Sequence, residues 1–110
     1  MIRTFLILNV APGHAEDLVR EFRDLKILEL SGHQPGCLGA EIDISADGRK
    51  AVVTALWESE AAYAQWTSRP DRAQMSEAIS EHLDGGLTAE TVGETLTVFH
   101  RVSTLDGRSI

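Results

Sequence analysis

Apolar and polar positions alternate most regularly between residues 37 and 45. Leu38, Ala40, Ile42 and Ile44 alternate with Gly39, Glu41 and Asp43, the period of a half-buried strand. Ala46-Asp47-Gly48 follows, and Asp-Gly tolerates the positive φ that hairpin turns demand. Residues 50 to 57, with Val52, Val53, Leu56 and Trp57, read as the return strand. Upstream, residues 2 to 10 carry apolar side chains on both parities, which suits a strand covered on both faces. The pattern then changes period. Leu18, Phe22, Leu25 and Leu28 recur at helical spacing and predict one amphipathic face. Glu16 and Asp17 open that helix, where its dipole favours negative charge. Ser31-Gly32 and Pro35-Gly36 close it.

The second helical region begins at Ser59, a good N-cap, and carries Ala62, Tyr63 and Trp66. Arg69-Pro70-Asp71 interrupts it, and a further helix with Met75, Ile79 and His82 on one stripe runs to about Leu83. Gly85-Gly86 ends it. Residues 88 to 94 are ambiguous, and residues 95 to 103, with Leu96, Val98, Phe99 and Val102, read as the last strand. The domain spans residues 1–104, and 105–110 form a polar tail, frayed or exchanged onto a partner. The order β-α-β-β-α-β predicts an α+β domain: a four-stranded antiparallel sheet with its helices on one face. The other face needs a cover, and a second copy of the chain, giving a homodimer, is the simplest one.

Composition narrows the function. The 110 residues allow one core. A net charge of -7 and the absence of a basic stripe argue against a nucleic-acid partner. The apolar N-terminus is too short to span a membrane, so no membrane partner is expected. Cys37 is the only cysteine, so no intramolecular disulfide forms, and a reducing, cytoplasmic setting fits. A lone Cys at a strand start reads as a small apolar residue rather than a nucleophile. His14, His33, His82 and His100 are scattered without metal-ligand spacing, and no metal is expected. His82, on the apolar stripe near a helix end, is the histidine best placed to act as a pocket acid or base, against the plainer reading of a core-edge residue. Both Trp and the only Tyr fall within ten residues, at Trp57, Tyr63 and Trp66. They either pack the helix on the sheet or line a pocket with flat faces and polar tips.

Gln34-Pro35-Gly36, the Ala46-Asp47-Gly48 hairpin, and Leu56-Trp57-Glu58-Ser59-Glu60 followed by Ala62-Tyr63 together resemble the antibiotic biosynthesis monooxygenase domain. The likeness covers roughly residues 3 to 103. It implies a ferredoxin-like protomer that pairs into a dimeric α/β barrel, with a pocket between sheet and helices. It also implies oxidation of polycyclic phenols of aromatic polyketide pathways to quinones with molecular oxygen and no cofactor. The electrons come from the deprotonated ring, so the protein binds the ring, favours the anion and shields the intermediate. Under this resemblance Trp57 and Tyr63 match pocket residues that touch substrate. The family's asparagine four residues before the tryptophan falls on Val53, and its second-helix arginine falls on Glu77. Asn9, on the first strand, is the candidate replacement amide.

The catalytic candidates are therefore Trp57, Tyr63, Asn9 and His82. The candidates for substrate contact are Trp57, Tyr63, Trp66 and Val53. The haem-degrading branch of the superfamily would place its tryptophan on Trp66, its axial histidine on Ser76 and its asparagine near Leu6. The last two side chains cannot fill those roles. Two other functions remain open: a non-oxygenase cyclase or isomerase of the same fold, and a small-molecule-binding domain without turnover.

Overall fold

Strand β3 (Lys50–Trp57) is the spine of the molecule, because its alternate residues are buried on both sides. It pairs antiparallel with β2 (Cys37–Ile44) on one edge and β1 (Ile2–Asn9) on the other, and β1 pairs with β4 (Val92–Thr97). The sheet order is β2-β3-β1-β4, the ferredoxin-like arrangement expected. The computed structural model describes residues 1–86 and 92–102; residues 87–91, which take in the first half of the ambiguous stretch at 88–94, and the polar tail at 105–110, with residues 103 and 104 before it, lie outside the described residues. No helix among the described residues is long and apolar enough to cross a membrane.

Ile2, Leu8, Ala51, Ala55 and Trp57 project from one sheet face into a core shared with Leu18, Phe22, Ile27, Trp66 and Ile79 of the helices. At about 25 cal/mol per Å2 of apolar surface, each such large side chain contributes roughly 1.5–3 kcal/mol when buried. Leu56 and Trp57 are chain neighbours, so they face opposite sides. Both are buried: Trp57 under the helices, Leu56 beside Arg3, Leu38 and Arg101 on the opposite face.

Three elements differ from the periodicity. The first helix is two: α1 (Ala15–Asp24) and α2 (Ile27–Gly32), separated by Lys26 in the left-handed region at φ 54°. That break rotates the chain. Leu25, expected inside, is exposed, and Ile27 is buried instead. The last strand lies earlier than residues 95–103. Thr97 pairs with Ile2, so β1 has run out, and Val98 keeps only a bond from its N–H to the Met1 carbonyl. Apolar content at Val98, Phe99 and Val102 suggested a strand, but among the described residues no strand pairs with this segment beyond Thr97. Finally, the helix expected to reach about Leu83 stops earlier, as α4 (Arg72–Ser80). Leu83 instead forms an isolated antiparallel bridge with Val10.

The hairpin between β2 and β3 is built as its residues dictate. Gly48 takes the positive φ, 72°, and Asp47 Oδ1 accepts from the Ser45 hydroxyl at 2.7 Å and the Arg49 N–H at 3.0 Å. These bonds favour the carboxylate and hold Asp47 below the usual aspartate range, the Arg49 N–H contributing most.

Candidate functional site

Trp57 is the last residue of β3, and the chain reverses immediately after it. Ser59, extended at φ -156°, caps helix α3 (Glu60–Thr67), its hydroxyl accepting from the Ala62 N–H at 3.2 Å. This satisfies one of the first-turn donors that a helix leaves unpaired. Gly36 fixes the other side of the reversal. Its carbonyl accepts from the Glu58 N–H at 2.8 Å. Gly36 has φ 86°, and a Cβ on it would sit 2.6 Å from the Ala62 Cβ. Only glycine allows both the backbone angle and that approach. Tyr63 is thereby folded back onto Trp57, with ring centroids 5.6 Å apart and planes tilted by 56°.

These rings line a mostly apolar cavity of about 90 Å³ between sheet and helices. Val53 lines its sheet wall, Trp66 and Met75 its helical wall, and Ile27 and Ser31 reach it from α2. The break at Lys26 is what brings Ile27 inward. Of the residues expected to contact a ligand, Trp57, Tyr63, Trp66 and Val53 all line this one cavity. Trp57 and Tyr63 do pack on each other, but space remains beside them.

Polar groups are few. The indole N–H of Trp57 is sealed from solvent and has no hydrogen-bond partner among the described residues. Such an orphan donor costs about 1–3 kcal/mol until something accepts from it. Arg72 also lines the cavity, although the position matched to the family arginine, Glu77, is exposed. Arg72 opens α4 after the Pro70 corner, and that corner turns it back over the Trp66 ring, 5.4 Å from its centroid. Arg69 stacks on the same ring at 5.6 Å and pairs with Asp71 through bonds of 2.9 and 2.7 Å. That pairing holds Asp71 below the usual aspartate range. Sequence reading missed Arg72. The available signal was the helix break at Arg69-Pro70-Asp71, which sets the residue after it facing back along α3.

Two expected site residues lie elsewhere. Asn9, at the end of β1, is exposed and lines a separate hollow with Asp47, Arg49 and Asp84. Its strand carries Leu6, not Asn9, to the aromatic cavity. His82 lies past α4 and packs on His14, with Nδ1 atoms 3.2 Å apart. Met75 and Ile79 of its stripe line the cavity, but His82 does not, because the chain has left the helix by then. Cys37 is a free, half-buried thiol, and Ser76 and Leu6 also face the cavity.

Comparison with known proteins agrees with this fold. Residues 1–78 match the sequence profile of the antibiotic biosynthesis monooxygenase family. A monooxygenase of the ActVA-Orf6 gene of Streptomyces coelicolor, solved with nanaomycin D, is 27% identical, with 94% of this chain and 92% of that one covered at TM-score 0.73. SnoaB, a cofactor-independent oxygenase from Streptomyces nogalater solved as a point variant, is 14% identical, covering 92% of this chain and 95% of its own at TM-score 0.75. Rv0793 from Mycobacterium tuberculosis is 19% identical, covering 93% and 98% at TM-score 0.72. No curated protein matches the sequence significantly.

Proposed function

Since the chain belongs to the antibiotic biosynthesis monooxygenase family, we propose that it oxidises a phenolic, polycyclic aromatic of polyketide type with molecular oxygen and no cofactor. The observation that carries this reading is the cavity between sheet and helices lined by the packed rings of Trp57 and Tyr63 together with Arg72. A phenolate or anthrone enolate supplies an oxygen that can accept from Tyr63, and from the sealed Trp57 N–H once the cavity widens to admit the ring. The Arg72 charge favours that anion over the neutral ring. The electron-rich anion then reduces oxygen directly. For an anthrone, one oxygen atom becomes the new ring carbonyl and the other leaves as water. The two C–H bonds of the reacting carbon supply the four electrons. Apolar walls from Val53, Ile27 and Met75 keep water from the intermediate.

Three properties belong to the same proposal. The protein works as a homodimer whose copies meet on the open sheet face, where Leu38 and Leu96 are exposed. It works in the cytoplasm, where Cys37 stays reduced. Asn9 and His82 lie outside the cavity, so their replacement is expected to leave turnover nearly unchanged.

Anthrone turnover tests the reading. Trp57→Phe, Tyr63→Phe and Arg72→Met are each expected to lower oxygen-dependent turnover about 10–100-fold, the worth of one charged or well-placed hydrogen bond. Circular dichroism should show the fold retained. Unchanged rates in all three would remove this cavity from the reaction. A second reading, a non-oxygenase cyclase or isomerase, draws on Val53, which cannot donate where the family's asparagine would. Product formed equally in air and under nitrogen would establish it. Tight binding of the aromatic with no product under either gas would instead identify a binding domain.

A further inference from the structure

The four histidines are scattered in sequence, yet the fold joins two of them across 68 positions. His14 sits at the N-cap of α1 but makes no capping bond, although that position normally uses its side chain to cap. The ring is turned instead to His82, Nδ1 to Nδ1 at 3.2 Å. Asp17, one helical turn along from His14, holds a carboxylate oxygen within 4.8 Å of both ring nitrogens. The three ligand atoms all lie within 4.8 Å of one another. The backbone holds this arrangement in place. Ala11 N–H donates to the His82 carbonyl at 2.9 Å, and Asp84 N–H to the Asn9 carbonyl at 2.8 Å. The segments carrying the two rings are thus bonded to each other on either side of the Val10–Leu83 bridge.

We propose that His14, Asp17 and His82 form a site for a divalent cation of the zinc class. Two imidazole nitrogens bound to one tetrahedral zinc at about 2.05 Å stand roughly 3.3 Å apart, close to the 3.2 Å separation here. Without a cation, one ring must place a proton between the two Nδ1 atoms. With one, both lone pairs point at the ion. Ligation through Nδ1 also fixes the proton of His82 on Nε2. That nitrogen is sealed from solvent with no hydrogen-bond partner among the described residues, and its nearest carboxylate oxygen is Glu21 Oε1 at 3.5 Å. A carboxylate behind a ligating histidine is the arrangement that orients the ring and raises its basicity in metal sites. Asp17 Oδ1 also meets Arg20 Nη1 at 3.1 Å, which leaves Oδ2 for the ion. Arg20 and the positive end of the α1 dipole oppose a cation, while Asp17 and Glu21 supply the opposing charge. A fourth position remains for water. None of the three ligands lines the aromatic cavity, so the bound ion would clasp the entry of α1 to the chain leaving α4.

Titration of chelator-stripped full chain with zinc by calorimetry, and with cobalt by visible absorption, tests the site. One ion per chain and the d–d bands of a four-coordinate cobalt complex are expected. The melting temperature should rise with zinc concentration, because the ion binds only the folded chain. His14→Ala and His82→Ala should each abolish the cobalt bands, and Glu21→Gln should weaken binding about 10–100-fold. The double variant His33→Ala/His100→Ala, at two exposed histidines, should bind as the parent does. Should a ligand variant fail to fold, nitrogen-15 spectra of the parent still decide the matter, since zinc must shift Nδ1 of His14 and His82. Absence of stoichiometric binding, or binding lost only in the double variant, would overturn the proposal.

Discussion

Single residues here carry constraints that composition does not show. Gly36 is the sharpest case, with both a left-handed φ and no room for a Cβ. Gly36→Ala is expected to destabilise the domain by about 1–3 kcal/mol, read as a lower urea midpoint. Ala62→Gly in the same chain should return part of that loss by removing the opposing methyl. An unchanged midpoint in the single variant would mean that β2 and α3 are not held this close. Asp47 makes a prediction in pH. Its folded pKa is lowered by the Arg49 N–H and the Ser45 hydroxyl. Its contribution to stability is therefore present above the unfolded value of about 3.9 and is lost as pH falls through the lower folded value. Carboxyl chemical shifts should place its midpoint below 3.9; a midpoint at or above that value would contradict the hairpin geometry.

At the scale of elements, α2 exists as a separate helix because Lys26 takes a conformation that side chains resist. A non-glycine residue there costs roughly 1–2 kcal/mol, and the return is that Ile27 and Ser31 reach the cavity. Lys26→Gly should raise stability by about 0.5–1 kcal/mol without changing turnover, measured by urea unfolding beside the anthrone assay. A loss of stability would mean the lysine stem supports the corner. This break also marks where sequence reading stops. The strand periods, the hairpin, the Ser59 cap and the Arg69-Pro70-Asp71 interruption were legible, because each is written in local residue types. Nothing in Leu25-Lys26-Ile27 announces a left-handed residue, so helical spacing placed Leu25 inside. The position of β4 is likewise set by where β1 ends rather than by its own pattern. In the site, the aromatic wall was legible from the Trp57–Trp66 cluster. Arg72 and the His14–His82 meeting were not, since both depend on how distant segments are brought together.

Over the whole molecule, the helices cover one sheet face, while the other presents Leu38 and Leu96 to solvent. If the face is an interface between copies, light scattering should give about twice the 12.0 kDa chain mass at micromolar concentration. Leu96→Glu, a change at an already exposed position, should shift the mass toward a single chain and leave the circular dichroism spectrum intact. A parent at single-chain mass throughout would rule the pairing out. Leu56 and Trp57 then take on another meaning. They share one peptide bond, yet one belongs to the face open to a second copy and the other to the aromatic cavity. Where chains pair through that face, occupancy of the cavity and association of the chains become linked equilibria. If an aromatic ligand tightens pairing by some factor, pairing tightens the ligand by the same factor, and the apparent affinity for substrate becomes a function of how much protein is present.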